Sequence, residues 1–211
     1  MVLCLLKARK EIRMNYTIDY DLVKDLSDPA LFAYGAIRSA YVCSPFVCLS
    51  ANLLNDAVFK GEQGRVRQFR TGIKELLDLG LITKYEDKLG RYNYYDLSLL
   101  DDLKTPLTLP HEVLYNLKDF GNNMGGMYRA CIELYRAIDN SSDRIVRTQK
   151  YRFAELMQCT NRALNQRLNF LKESKLFSVK DVSDTYPGKF RPTVYVTTAD
   201  NAANLKQAIP C

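Results

Sequence analysis

Two groups of four polar side chains recur at a spacing that suits reading the edge of a polymer. Arg67, Arg70, Thr71 and Lys74 stand at i, i+3, i+4 and i+7. At about 100° per residue they share one face of a helix, and Val66, Phe69, Ile73 and Leu76 take the opposite face. Arg162, Asn165, Gln166 and Asn169 repeat the same intervals, with Leu164, Leu168 and Leu171 behind them. Arg carries paired donors that fit guanine O6 and N7, Asn and Gln fit the adenine edge, and Lys and Thr reach phosphates or bases. The plain alternative for either group is a solvated helix face. Two groups at equivalent places favour a shared binding role.

Other chemistries lack their parts. The single histidine, His111, rules out Ser-His-Asp, Cys-His and multi-His metal sites within the chain. The six cysteines are separated by 39, 5, 83, 28 and 52 positions. No CxxC arises, so neither a zinc knuckle nor a disulfide framework fits, and the thiols read as reduced core residues. GxSxG, P-loop and GxGxxG motifs are absent from the sequence, and Gly188-Lys189 lacks the remainder of a phosphate-binding loop. Asp19, Asp21 and Asp25 read as a solvated face and caps, and Gly121–Gly126 as a turn. No catalytic residue, metal or cofactor is expected, and the chain reads as a non-enzyme.

The elements that must position these faces follow from periodicity. The chain has 211 residues, 47% hydrophobic and 26% charged, which suits one large domain or two small ones and excludes a disordered chain. Asp28 and Pro29 suit the start of a helix through Ala40 that Pro45 ends. Phe46–Leu49 reads as a short strand, and Ser50 as the cap of the next helix. The polar-faced helix then stops at Gly80. Leu81–Tyr85 and Arg91–Tyr95 are strands. In the second half the order returns: a helix Met127–Ile138, a strand Ile145-Val146, helices capped by Thr148 and Thr160, and strands Leu176–Lys180 and Thr193–Val196. A shift of 95 places Phe69, Ile73, Leu76 and Leu81 on Leu164, Leu168, Leu171 and Leu176, which suggests an internal repeat. Three segments are expected: a disordered basic leader, 1–13, without structural role or upstream of a start at Met14; a first domain, 14–104; and a second, 105–211. The seam lies near Asp101–Pro106.

Charge supports the binding reading. Residues 60–95 hold eight basic and five acidic residues, and residues 144–191 hold eleven and four. The second region is the stronger electrostatic footprint. The strand pairs supply Lys84, Lys88, Arg91 and Tyr92 in the first half and Lys180, Lys189 and Arg191 in the second. These suit phosphate contacts, or else serve solubility and edge protection. Arg65, Arg147, Lys150 and Thr160 complete the candidate set. Tyr92, Tyr94 and Tyr95 read as an alternating strand before they read as a stacking platform for unpaired bases. No apolar run approaches the roughly 20 residues of a spanning helix, so no membrane contact and a cytoplasmic location are expected.

The stretch Phe153–Leu168, with small Ala154, Thr160 at a helix start and Leu164 and Leu168 packing back, resembles the helix-turn-helix consensus. Ile73–Ile82 looks like a recognition helix closing into its wing. The first half departs from that pattern in its longer inter-helix turn, Lys60–Gly64. From about Tyr16 the chain resembles tandem winged-helix proteins, and more specifically replication initiators of Gram-positive plasmids and phage replisome organisers, which place a helix like Ala30–Ala40 before a winged helix. The resemblance implies a mostly α fold with small β-wings, two tandem winged-helix domains, and sequence-specific binding of double-stranded DNA in replication. Replication proteins are then further partners. A transcriptional regulator of the same fold and a winged-helix protein–protein scaffold are the alternatives. Both a monomer and a homodimer fit, with helix Ala30–Ala40 and its flanking Tyr34 and Tyr41 as the candidate dimer surface.

Overall fold

A computed structural model describes residues 15–42, 47–48, 50–59, 66–86, 93–96, 103–117, 120, 123–182 and 193–208. The fold is mixed α+β, mostly helical, with small antiparallel sheets. Its contacts separate into two units, Met1–Tyr128 and Arg129–Cys211.

The first unit opens with β1 (Asn15–Asp19), whose Tyr16 and Ile18 point inward. Asp19 ends the strand and caps the single turn α1 (Tyr20–Val23). Its buried carboxylate accepts from the N–H groups of Asp21 at 3.0 Å, Lys104 at 3.1 Å and Thr105 at 3.3 Å. Helix α2 (Asp28–Tyr41) follows. Its N-cap is Ser27, one residue earlier than the sequence suggests, with Ser27 Oγ accepting from the Ala30 N–H at 3.3 Å. Pro29 therefore falls inside the first turn, where its missing N–H costs nothing. Residues 30–37 are buried all round, and the Tyr34 hydroxyl accepts from the Asp19 N–H at 3.0 Å. This overturns the expected dimer surface. Tyr34 is a core residue because α2 is the central helix of its unit, and the Tyr41 side chain lies outside the described residues.

Next come β2 (Val47–Cys48), α3 (Ala51–Phe59) and α4 (Val66–Asp78). Ser50 Oγ accepts from the Leu53 N–H at 3.2 Å, as its expected capping role requires. Helix α4 turns Phe69, Gly72, Ile73 and Leu76 inward. It lies so close to α2 that a Cβ on Gly72 would stand 2.1 Å from the carbonyl oxygen of Pro29. The Phe32 and Phe69 rings meet across this contact at 5.3 Å. Gly80, at φ +66°, stops the helix. The Gly80 N–H bonds to the Leu77 carbonyl at 3.0 Å and the Leu81 N–H to the Leu76 carbonyl at 2.9 Å, a Schellman closure. Strands β3 (Thr83–Glu86) and β4 (Asn93–Asp96) pair, and β2 joins the far side of β4, giving the order β2-β4-β3. Strand β5 (Pro106–Pro110) then pairs with β1, Tyr16 opposite Leu109. A short helix, α5 (Glu112–Asn116), follows it.

The division into units falls inside α6 (Met124–Asp139) and not near Asp101–Pro106. The β1–β5 ladder ties the residues after that expected seam to the start of the chain.

In the second unit, α6 from Arg129 onward leads to β6 (Val146–Thr148), α7 (Lys150–Leu156), α8 (Asn161–Glu173), β7 (Phe177–Asp181) and β8 (Val194–Thr198). A short 3-10 turn then leads into α9 (Ala202–Ala208). Thr148 does not cap α7. It ends β6, where its carbonyl accepts from the Thr193 N–H at 3.0 Å, and Gln149 takes the cap position without a side-chain bond. Thr160 does cap α8, accepting from the Ala163 N–H at 3.3 Å. Between α7 and α8 the chain turns through Gln158 at φ +49°. The Cys159 N–H reaches the Ala154 carbonyl at 3.0 Å, a second Schellman closure. The sheet order is β6-β8-β7.

Each unit thus contains the run helix, short strand, helix, helix, two strands, with the short strand paired to the last one. The shift of 95 lays Val66–Asp78 on Asn161–Glu173 end to end. The three apolar pairs it superposes within these helices are buried in both units. It also lays Gly80 on Lys175, and Lys175 holds the same left-handed conformation at φ +58°.

Candidate nucleic-acid interface

The apolar faces of α4 and α8 are fixed by packing, so their opposite faces are fixed as well. All eight residues of the two polar groups are exposed: Arg67, Arg70, Thr71 and Lys74 on α4, and Arg162, Asn165, Gln166 and Asn169 on α8. Among the described residues, none of the eight enters a salt bridge or a side-chain hydrogen bond. The one carboxylate midway along α4, Glu75, is turned aside to Ser27, whose N–H it accepts at 2.9 Å and whose hydroxyl it also accepts. Three cations therefore share the α4 face with Thr71. The equivalent position in α8 is Phe170, which lies beside the polar face in the sequence and is buried in the structure. This flank holds a half-buried Glu75 in the first unit and a buried Phe170 in the second, and only a sharper angular reading of the sequence would have separated it from the face beside it.

The remaining candidate residues divide. Arg147 is bound to Asp143, and its guanidinium holds the Asp143 carboxyl down to about 2. Lys150 pairs with Asp181 at 3.1 Å, and Lys84 pairs with Glu86 at 2.5 Å. These three cations are already engaged with carboxylates. The Thr160 oxygen is engaged as a cap. Lys180 is exposed on β7. Arg65, Lys88, Arg91, Tyr92, Lys189 and Arg191 lie outside the described residues, as do the leader 1–13 and the turn Lys60–Gly64.

Arg152 was not singled out from sequence, yet it is exposed on α7, the helix preceding α8. Its Nε donates to the Tyr151 hydroxyl at 3.0 Å, and its guanidinium lies 5.8 Å from the exposed Tyr151 ring. The adjacent pair Tyr151-Arg152, just before the inward Phe153, is the signal that would have found it. A different arginine, Arg167, is buried and donates to the Met157 carbonyl. It stands where Gly72 stands in the first unit, so one helix–helix contact is closed by a missing side chain and the other position holds a guanidinium bound to the inter-helix turn.

No helix among the described residues is long and apolar enough to cross a membrane. The chain matches no protein-family model, and neither curated protein sequences nor solved structures gave a match.

Proposed function

We propose that the chain is a tandem winged-helix protein that binds a specific double-stranded DNA sequence, with α4 and α8 as its two recognition helices. The observation that carries this reading is the pair of register-equivalent polar faces, eight side chains in all, exposed and without acidic partners. A recognition helix needs such a face to enter the major groove while its other side packs. The strand order in each unit, first strand against third, is the order of a winged helix and supports the fold assignment. The role we assign is replication initiation or organisation on a plasmid or phage. It rests on the resemblance of the chain from about Tyr16 to those families, which place a helix like Ala30–Ala40 before a winged helix, and transcriptional regulation is the same-fold alternative.

Selection of bound fragments from random double-stranded DNA tests the reading. The intact chain enriches a defined site, and mapping that site to an origin or to a promoter separates the two roles. Arg162→Ala combined with Gln166→Ala abolishes or relaxes the preference and leaves the fold intact, because both side chains are exposed. An unchanged footprint for that variant rejects the assignment of α8. Failure of the intact chain to enrich any site favours the protein–protein scaffold.

A further inference from the structure

The two faces are equivalent in position and different in chemistry. Arg70 of α4 corresponds to Asn165 of α8, Thr71 to Gln166, and Lys74 to Asn169, whereas Arg67 and Arg162 match. A guanine shows the major groove two acceptors, N7 and O6; an adenine shows one acceptor and one donor, N7 and the N6 amino group. An arginine or lysine side chain has donors only, so it satisfies guanine and leaves the adenine amino group unmet. A carboxamide has both a donor and an acceptor and pairs with adenine through two bonds. On α4 the sole side-chain acceptor of the four is the Thr71 hydroxyl. On α8 three of the four are carboxamides, and all are exposed.

We propose that the target site is bipartite and non-palindromic, with a guanine-bearing arm read by Arg67 and Arg70 and an adenine-bearing arm read by Asn165 and Gln166. This rests on the reading of α4 and α8 as duplex-reading helices and adds which bases each one selects. The internal repeat supplies two similar readers, and divergence on their exposed faces makes the site asymmetric.

Selection from a random-sequence duplex pool is performed with the intact chain and with two double variants. Arg67→Ala with Arg70→Ala erases the guanine preference of the α4 arm and leaves the α8 arm, its Arg162 included, unchanged. Asn165→Ala with Gln166→Ala does the reverse. Each lost pair lowers discrimination at its position by roughly ten-fold to a hundred-fold. A third variant transplants chemistry: Asn165→Arg with Gln166→Thr copies the α4 residues onto α8 and converts the adenine arm to guanine. All substituted side chains are exposed, and circular dichroism confirms that each variant is folded. A symmetric enriched site, or a transplant that leaves the adenine arm unchanged, overturns the division while duplex binding stands. If the intact chain enriches nothing, the reading of the two helices falls and this inference falls with it.

Discussion

Glu75 and Ser27 tie the middle of α4 to the start of α2. The carboxylate accepts from the Ser27 N–H and from its hydroxyl, while the same hydroxyl oxygen caps α2 through Ala30. One contact therefore joins two helices and removes a negative charge from the face that we assign to DNA.

Glu75→Ala separates these two roles. It leaves two polar groups of Ser27 without their carboxylate and is expected to lower the stability of the chain by about 1–2 kcal/mol, towards the low end of the ~1.5–3 kcal/mol of hydrogen bonds to charged groups because water screens this exposed contact. The measurement is urea unfolding. DNA affinity stays the same or rises, because an anion beside the face is gone. A loss of affinity in a folded variant would place Glu75 in the interface itself.

The left-handed residues give a second prediction. Lys175 at φ +58° and Gln158 at φ +49° occupy helix-stopping conformations in which an L side chain is strained. Gly80 fills the position equivalent to Lys175 without that cost. Lys175→Gly and Gln158→Gly should each raise stability by roughly 1 kcal/mol. Thermal unfolding of the two variants decides this, and a fall in midpoint for either would show that its side chain contributes more than the strain removes.

Cys131 links the second unit to pH. Complete burial pushes its thiol from the ordinary 9.0 up to about 12, and the Arg167 charge only partly offsets this. The folded state thus keeps the proton where the unfolded chain releases it. The associated stability is fully present below pH 9.0 and is lost as the pH rises towards about 12. Burial shifts Tyr34 in the same direction, so a difference measurement is needed. Unfolding midpoints of the native chain should fall more steeply above pH 9.0 than those of Cys131→Ala. Parallel curves would contradict the assignment.

Periodicity made the two exposed polar faces legible. The three-and-four spacing of Phe69, Ile73 and Leu76, repeated in Leu164, Leu168 and Leu171, fixed the inward side of both helices and hence their exposed side. Local signals were less decisive where two neighbours competed. Ser27 and Asp28 are both good N-caps, and Ser27 has the added bond to Glu75. Thr148 is a good cap and also a good strand residue, and the ladder to Val194 claims it. The β1–β5 ladder was hidden because Pro106 and Pro110 argue against a strand, yet a two-stranded ribbon tolerates prolines on its open edge. The pairings of Arg147 and Lys150 were hidden for another reason. Asp143 stands only four residues from Arg147 but in a turn before β6, where no helical spacing signals the pair, and Asp181 reaches Lys150 only through the fold.

The salt dependence of binding to the selected duplex tests the central claim most directly. Two faces that neutralise about six phosphates between them predict a slope of log K against log salt near −5, at roughly −0.9 per phosphate. Weak association with a slope near zero would contradict it.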